Sequence, residues 1–158
     1  MAPALQPPSD LALADLVKSA DAALTGRGAR APTGALLRVS TRAAHPPGEL
    51  ACYPIDPIHP LDLLMGFVAP EHWWALGVSS RGLQHSMDDD GRVVRTADSP
   101  RVRITVLVDR SGGGAGLLRR GDELTALPGR PEGTVADACR RALGLGTAPP
   151  HDLRPKLC

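Results

Sequence analysis

The chain has 158 residues and a formal net charge of +1, and 42% of its residues are hydrophobic. This length suits a single domain with one core, and the charge argues against a bulk nucleic-acid binder or a membrane-surface binder. Cys52, Cys139 and Cys158 are widely spaced and odd in number, which excludes a CxxC zinc knuckle and argues against a disulfide framework.

The N-terminal residues predict a cytoplasmic protein. They lack the basic region and apolar run of a signal peptide, and no apolar stretch reaches the ~18 residues of a membrane span. Residues 1–8 contain three prolines and are predicted to be a flexible lead-in.

The first predicted helix begins after Ser9, a typical N-cap residue, and runs to about Thr25. Gly26 occupies the usual position of a left-handed C-cap. The apolar stripe of this helix consists of Leu13, Val17, Ala20 and Leu24.

The middle of the chain predicts short elements. A strand is expected over Ala35–Ser40, and a short helix opened by Pro60 over Leu61–Phe67. Trp73–Ser80 is typical of a strand that begins with aromatic residues. The run Asp88–Gly91 indicates a tight turn.

The second half predicts strands and a closing helix. Arg101–Asp109 alternates, with valines and Ile104 on one side, and a glycine-rich turn leads to a shorter strand over Ala115–Arg119. Thr134 and Asp137 have capping-box spacing at a helix start. Its apolar stripe predicts that Arg140 and Arg141 are exposed. Residues 147–158 are predicted to be a flexible tail.

These elements predict an α+β fold in one domain over residues 9–146. Short connections between strands favour antiparallel pairing, and we expect the N- and C-terminal helices to cover one face of the sheet. The order of elements is similar to that of PAS- and GAF-like sensory modules, an analogy of fold that implies no function. The segments Arg101–Ser111, Leu117–Glu123 and Asp137–Pro150 resemble small uncharacterised proteins of GC-rich actinobacteria, and this resemblance implies no activity.

Two clusters are candidate sites. Asp56, His59 and Asp62 combine carboxylates and an imidazole, which suit a metal ion or acid–base chemistry; alternatively, Asp62 stabilises a helix start and His59 lies in a turn. His72, Trp73 and Trp74 begin a strand, where the two indoles face opposite sides, so one of them packs elsewhere or meets a partner.

Arginines suggest a third site. Residues 1–90 contain 6 basic and 10 acidic side chains, and residues 91–158 contain 12 basic and 7 acidic. Arg101 and Arg103 share one strand face, and with four other arginines they could form a basic surface for RNA or an acidic partner. The other four are Arg119, Arg120, Arg140 and Arg141.

The leading hypothesis is a non-enzymatic interaction or regulatory module without a cofactor, which binds a protein or a small ligand near Trp73 and Trp74. One alternative is a metal-dependent enzyme that uses Asp56, His59 and Asp62. The other is a nucleic-acid binder with an arginine face. The oligomeric state does not follow from the sequence.

Overall fold

A computed structural model describes residues 10–40, 49–83, 86–94 and 101–145 of the chain. The predicted lead-in (1–8), the N-cap Ser9 and the predicted tail (147–158) lie outside the described residues. The helices of the described ranges are α1 (Asp10–Thr25), α2 (Pro60–Met65) and α3 (Thr134–Ala142). The strands are β1 (Gly34–Ser40), β2 (Glu49–Pro54), β3 (Trp73–Leu83), β4 (Ser86–Met87), β5 (Val93–Val94), β6 (Arg101–Asp109), β7 (Gly114–Arg120) and β8 (Glu123–Ala126).

Six strands form one open sheet in the order β2-β1-β3-β6-β7-β8, and all neighbours are antiparallel. The predicted α+β class with an antiparallel sheet is therefore confirmed. Strands β4 and β5 form a separate ribbon. Its turn contains Gly91 at a φ of +77°, as the Asp88–Gly91 run predicts. The similarity to PAS- and GAF-like modules stays a prediction.

The helices lie on opposite faces of this sheet. Successive side chains of a strand point to opposite sides, so β1, β3 and β6 contribute to two apolar layers. Helix α1 packs over the layer that contains Leu37 and Leu107, on what we call the α1 face. Helices α2 and α3 pack over the layer that contains Leu36 and Val108, on the α3 face. The prediction that the terminal helices cover one face is therefore wrong.

The ends of the terminal helices differ from the sequence prediction. Gly133, at a φ of +106°, is the N-cap of α3, without a side-chain cap. The Thr134–Asp137 capping box is therefore not formed. Asp137 instead pairs with Arg140 at 3.1 Å. After α1 the positive φ occurs at Gly28, not at the predicted Gly26.

Arg110 fixes the connections beside the sheet. Its guanidinium donates to the carbonyl oxygens of Trp73 (2.7 Å), Leu143 (2.6 Å) and Pro70 (2.8 Å). These carbonyls belong to the start of β3, the residue that follows α3 and the segment that precedes β3. One side chain thereby links three chain segments that are distant in sequence.

Candidate anion-binding site

Three arginines stand side by side on the α1 face. Arg103 of β6 is the register partner of Arg81 on β3 and of Arg119 on β7. Neighbouring strands lie about 4.8 Å apart, so the three Cα atoms form a short row across the sheet. Cationic residues directly opposite one another are destabilising unless their charge is balanced. A row of this kind therefore needs a partner charge.

The central arginine of the row is buried. Arg103 is only 4% exposed, and its guanidinium donates to Ser79 Oγ (3.0 Å) and to the carbonyl oxygen of Pro32 (2.6 Å). Both acceptors are neutral, and no carboxylate of the described residues lies within salt-bridge distance of Arg103. Burial, and then the charge of Arg81, lower the pKa of Arg103.

The outer arginines of the row differ. Arg119 forms a salt bridge with the buried Asp21 of α1, with Arg119 Nε at 2.7 Å and Nη2 at 2.6 Å from Asp21 Oδ2. Arg81 is exposed and donates to the carbonyl oxygen of Ala31 at 3.0 Å. Asp21 thus balances one charge of the row, while those of Arg81 and Arg103 have no counterpart at salt-bridge distance in the described ranges.

A hollow of about 180 Å³ opens beside the row, and we call it the arginine cleft. Arg101, two residues before Arg103 and therefore on the same face of β6, lies exposed at this hollow. Thr25 also lines it, and Thr25 Oγ1 is buried without a hydrogen-bond partner in the described part of the chain. The cleft is lined by Thr25, Gly28, Ala31, Arg81, Arg101, Val102, Arg103, Arg119 and Gly121.

The chemistry of this lining is charge recognition. A guanidinium keeps its proton at neutral pH and offers planar N–H donors that match phosphate and carboxylate oxygens. Such a group orients and neutralises an anion and does not exchange protons with it. Arg103 keeps N–H donors beyond the two that it uses, because a guanidinium has more donors than its two bonds to Ser79 and Pro32 require.

The predicted metal cluster has a local structural role. Asp56 accepts from the backbone N–H groups of Thr33 (2.7 Å) and Gly34 (2.8 Å), and these bonds lower the pKa of Asp56. His59 is the N-cap of α2, where its Nδ1 accepts from Leu61 N at 3.2 Å, and Asp62 lies in the first turn. Within the described residues, no three His, Cys, Asp or Glu side chains form a metal-binding group.

The tryptophans face opposite sides of the sheet, as their adjacent positions in a strand predict. Trp74 is buried in the layer under α1 and is 9% exposed, so little of its surface is open to a partner. Trp73 is half-buried on the α3 face, and its ring centroid lies 5.3 Å from that of Phe67. Arg38 lies over the Trp73 ring at 5.5 Å. His72 is also half-buried.

The six arginines expected to form one basic surface are divided between the two faces. Arg101, Arg103 and Arg119 lie on the α1 face, where Arg103 is buried and unavailable to a broad surface. Arg140 belongs to α3 on the other face. Its prediction as an exposed residue is wrong, because it is 8% exposed and donates to the carbonyl oxygen of Pro131. Arg141 is exposed as predicted.

Sequence reasoning named three residues of the cleft, Arg101, Arg103 and Arg119, as part of one basic surface, and missed what makes them a site. Arg81 was not among the candidate residues, and Thr25 was named only as a helix end. The signal that joins Arg81, Arg103 and Arg119 is the strand register. The register could not be predicted from the sequence, because the long connection between β3 and β6 does not determine which residues of the two strands pair.

Comparisons with models of protein families, with curated proteins and with solved structures gave no match to this chain. The resemblance to actinobacterial proteins stays a prediction. None of the helices in the described ranges has the length and apolar character needed to span a membrane.

Proposed function

We propose that the protein is a non-enzymatic interaction or regulatory module that recognises a small anionic ligand in the arginine cleft. The observation that carries this proposal is the burial of Arg103 between two further arginines, with no carboxylate of the described residues at salt-bridge distance. A buried charge is costly unless it is paired. An anion between Arg81 and Arg103 supplies the missing charge.

The size of the cleft supports a compact ligand group. Its volume of about 180 Å³ lies below the roughly 300–1,000 Å³ typical of pockets for drug-sized ligands. A phosphate or carboxylate group suits such a space, whereas the arginines on the opposite face cannot join it in holding a nucleic-acid backbone. The ligand is therefore a small one, and it binds away from Trp73 and Trp74.

Calorimetric titration of the full chain with phosphate, sulfate, citrate and pyrophosphate tests the proposal. We expect at least one anion to bind, and to raise the melting temperature because it binds the folded state only. Arg81→Gln and Arg101→Gln remove exposed charges of the cleft and should each weaken binding about tenfold, the size of one charged hydrogen bond. The matched control is Arg141→Gln, an exposed arginine on α3.

Stability without ligand separates recognition from a structural role. Arg81 faces Arg103 across the strands, so the loss of its charge relieves repulsion when no anion is bound. We therefore expect Arg81→Gln to unfold at the same temperature as the parent or higher in anion-free buffer of low salt. Unchanged affinity in Arg81→Gln and Arg101→Gln, or no binding of any of the four anions, contradicts the proposed function.

A further inference from the structure

The geometry points to a ligand with two or more linked phosphoryl groups, a linear diphosphate or triphosphate, as the occupant of the arginine cleft. This inference rests on the proposed function and concerns the class of its ligand. It follows from the arrangement of the positive charges, because Arg81, Arg103 and Arg119 lie in a row across three strands and not around one point.

The first step is the length of the row. Arg81, Arg103 and Arg119 occupy three adjacent strands in register, so their Cα atoms span two strand spacings, about 10 Å. A single tetrahedral anion contacts one guanidinium pair of such a row. A chain of linked phosphoryl groups follows its direction, and each guanidinium can then bind a different group through its fork of donors.

The second step is the charge balance. Four arginines surround the cleft, and Asp21 pairs with Arg119. Asp56, whose two oxygens accept from the backbone at Thr33 and Gly34, forms no salt bridge with the row but attracts Arg81 and Arg103 over a longer distance. The four arginines together with the carboxylates of Asp21 and Asp56 leave a net charge of +2 around the cleft within the described residues. A diphosphate or triphosphate carries a negative charge of that order, which a monovalent carboxylate does not.

A polar atom in the lining also lacks a partner within the described part of the chain. Thr25 Oγ1 is buried, lines the cleft and has no hydrogen-bond partner among the described residues. Buried hydroxyl groups are rarely left unpaired. A phosphoryl oxygen held by the row would accept from this hydroxyl. Arg101 also lines the cleft and is exposed, so the remainder of a larger ligand would continue past it into solvent.

The test is a titration series on the full chain with orthophosphate, pyrophosphate and tripolyphosphate at constant ionic strength. We expect pyrophosphate to bind at least tenfold more tightly than orthophosphate, and tripolyphosphate at least as tightly as pyrophosphate. Citrate has a similar charge without linked phosphoryl groups and should bind at least tenfold more weakly than tripolyphosphate.

Variants assign this preference to the row. Arg81→Gln should reduce the ratio of pyrophosphate to orthophosphate affinity, because it shortens the row, and Thr25→Val should weaken pyrophosphate binding about threefold without loss of folding. Arg141→Gln should leave the ratio unchanged. Equal affinity for orthophosphate and pyrophosphate overturns the inference and leaves the proposed function intact, as does citrate binding that equals tripolyphosphate binding. Failure of every anion to bind removes both.

Discussion

Arg110 shows how much of the fold one side chain can stabilise. It donates to carbonyl oxygens before β3, at the start of β3 and after α3. An apolar replacement leaves these carbonyls without their charged donor, and each hydrogen bond to a charged group contributes about 1.5–3 kcal/mol. We expect Arg110→Met to lower the free energy of unfolding by about 2–4 kcal/mol, measured by urea denaturation.

The control for this prediction is Arg141→Met, which removes an exposed arginine from α3 and should change the free energy of unfolding by less than about 0.5 kcal/mol. Arg110→Lys retains the charge but not the planar fork of donors, so its stability should fall between the parent and Arg110→Met. An equal loss in Arg110→Met and Arg141→Met would show that the three carbonyl bonds contribute nothing.

Gly77 permits a close backbone contact between β3 and β6. A Cβ atom at this position would lie 2.1 Å from the carbonyl oxygen of Val106 and 3.0 Å from Leu107 Cα, and backbone atoms cannot move away without breaking the ladder. We therefore expect Gly77→Ala to prevent folding or to lower the free energy of unfolding by more than about 3 kcal/mol, which circular dichroism during denaturation would measure.

Gly82 of the same strand is the matched control, since a Cβ there meets nothing within 4 Å. Gly82→Ala should keep the parent stability or gain up to about 1 kcal/mol, because alanine restricts the unfolded chain. If Gly77→Ala folds as stably as Gly82→Ala, the close contact between the central strands is not a constraint on the sequence.

The residues that sequence reasoning placed correctly are those whose environment depends on their own strand or helix. Alternation along a strand put Trp73 and Trp74 on opposite faces, and the structure agrees. Arg103 is different, because its burial depends on Arg81, Arg119 and Pro32, which come from other elements. No local pattern distinguishes a buried arginine of this kind from an exposed one.

At the level of elements, Asp56 joins the segment before α2 to the start of β1. The N–H groups of Thr33 and Gly34 donate to the Asp56 carboxylate and lower its pKa below the ordinary 3.8. A carboxyl group with a lowered folded-state pKa stabilises the folded state above its unfolded-state pKa, and this contribution is lost as the pH falls through the folded-state value. Between neutral pH and about pH 3, we therefore expect the free energy of unfolding of Asp56→Asn to fall less steeply than that of the parent.

Denaturant titrations at several pH values measure this difference. Asp122→Asn, which removes an exposed carboxylate from the turn between β7 and β8, is the control for the change in net charge and retains Asp56. The stability of the parent and of this control should converge on that of Asp56→Asn at low pH. Parallel stability curves for all three proteins would contradict the role of Asp56.

Helices and strands with a regular pattern of apolar residues could be predicted from the sequence. Strands that form only because a neighbouring strand pairs with them could not. Helix α1 and strand β6 have the limits that their apolar patterns indicate. Strand β8 has four exposed residues, so it shows no alternation of burial, and it exists because β7 offers it an edge. Strand β2 likewise pairs only with β1, and ends at Pro54, which suits an edge position.

For the whole molecule, one sheet supplies residues to two apolar layers. Strands β1, β3 and β6 each supply alternate residues to both. The sequence predicted two striped helices and an apolar sheet, but which face each helix covers depends on the direction of the connections, and the apolar pattern does not encode it. The same arrangement leaves Arg81, Arg103 and Arg119 at the end of the layer under α1, where Arg119 pairs with Asp21 of that helix.

The shared sheet also predicts that both layers unfold together. Leu24 lies in the layer under α1 and Leu64 in the layer under α2 and α3, each no more than 1% exposed. Replacement of either by alanine should cost about 2–5 kcal/mol. Burial raises the pKa of Cys139 on α3 to about 12, so its thiol reacts only after the structure opens. Alkylation of Cys139, in a Cys52→Ser/Cys158→Ser background, therefore reports opening of the α3 face.

If the two layers form one cooperative unit, Leu24→Ala accelerates the alkylation of Cys139 as much as its own loss of stability predicts, although Leu24 lies across the sheet. The alkylation rate depends on the population of the open state and therefore on the free energy of opening. When the alkylation rate of Cys139 is plotted against the free energy of unfolding, Leu64→Ala should therefore fall on the same line as Leu24→Ala. Rapid alkylation in Leu64→Ala alone would mean that α3 separates from the sheet while the layer under α1, and with it the arginine cleft, stays folded.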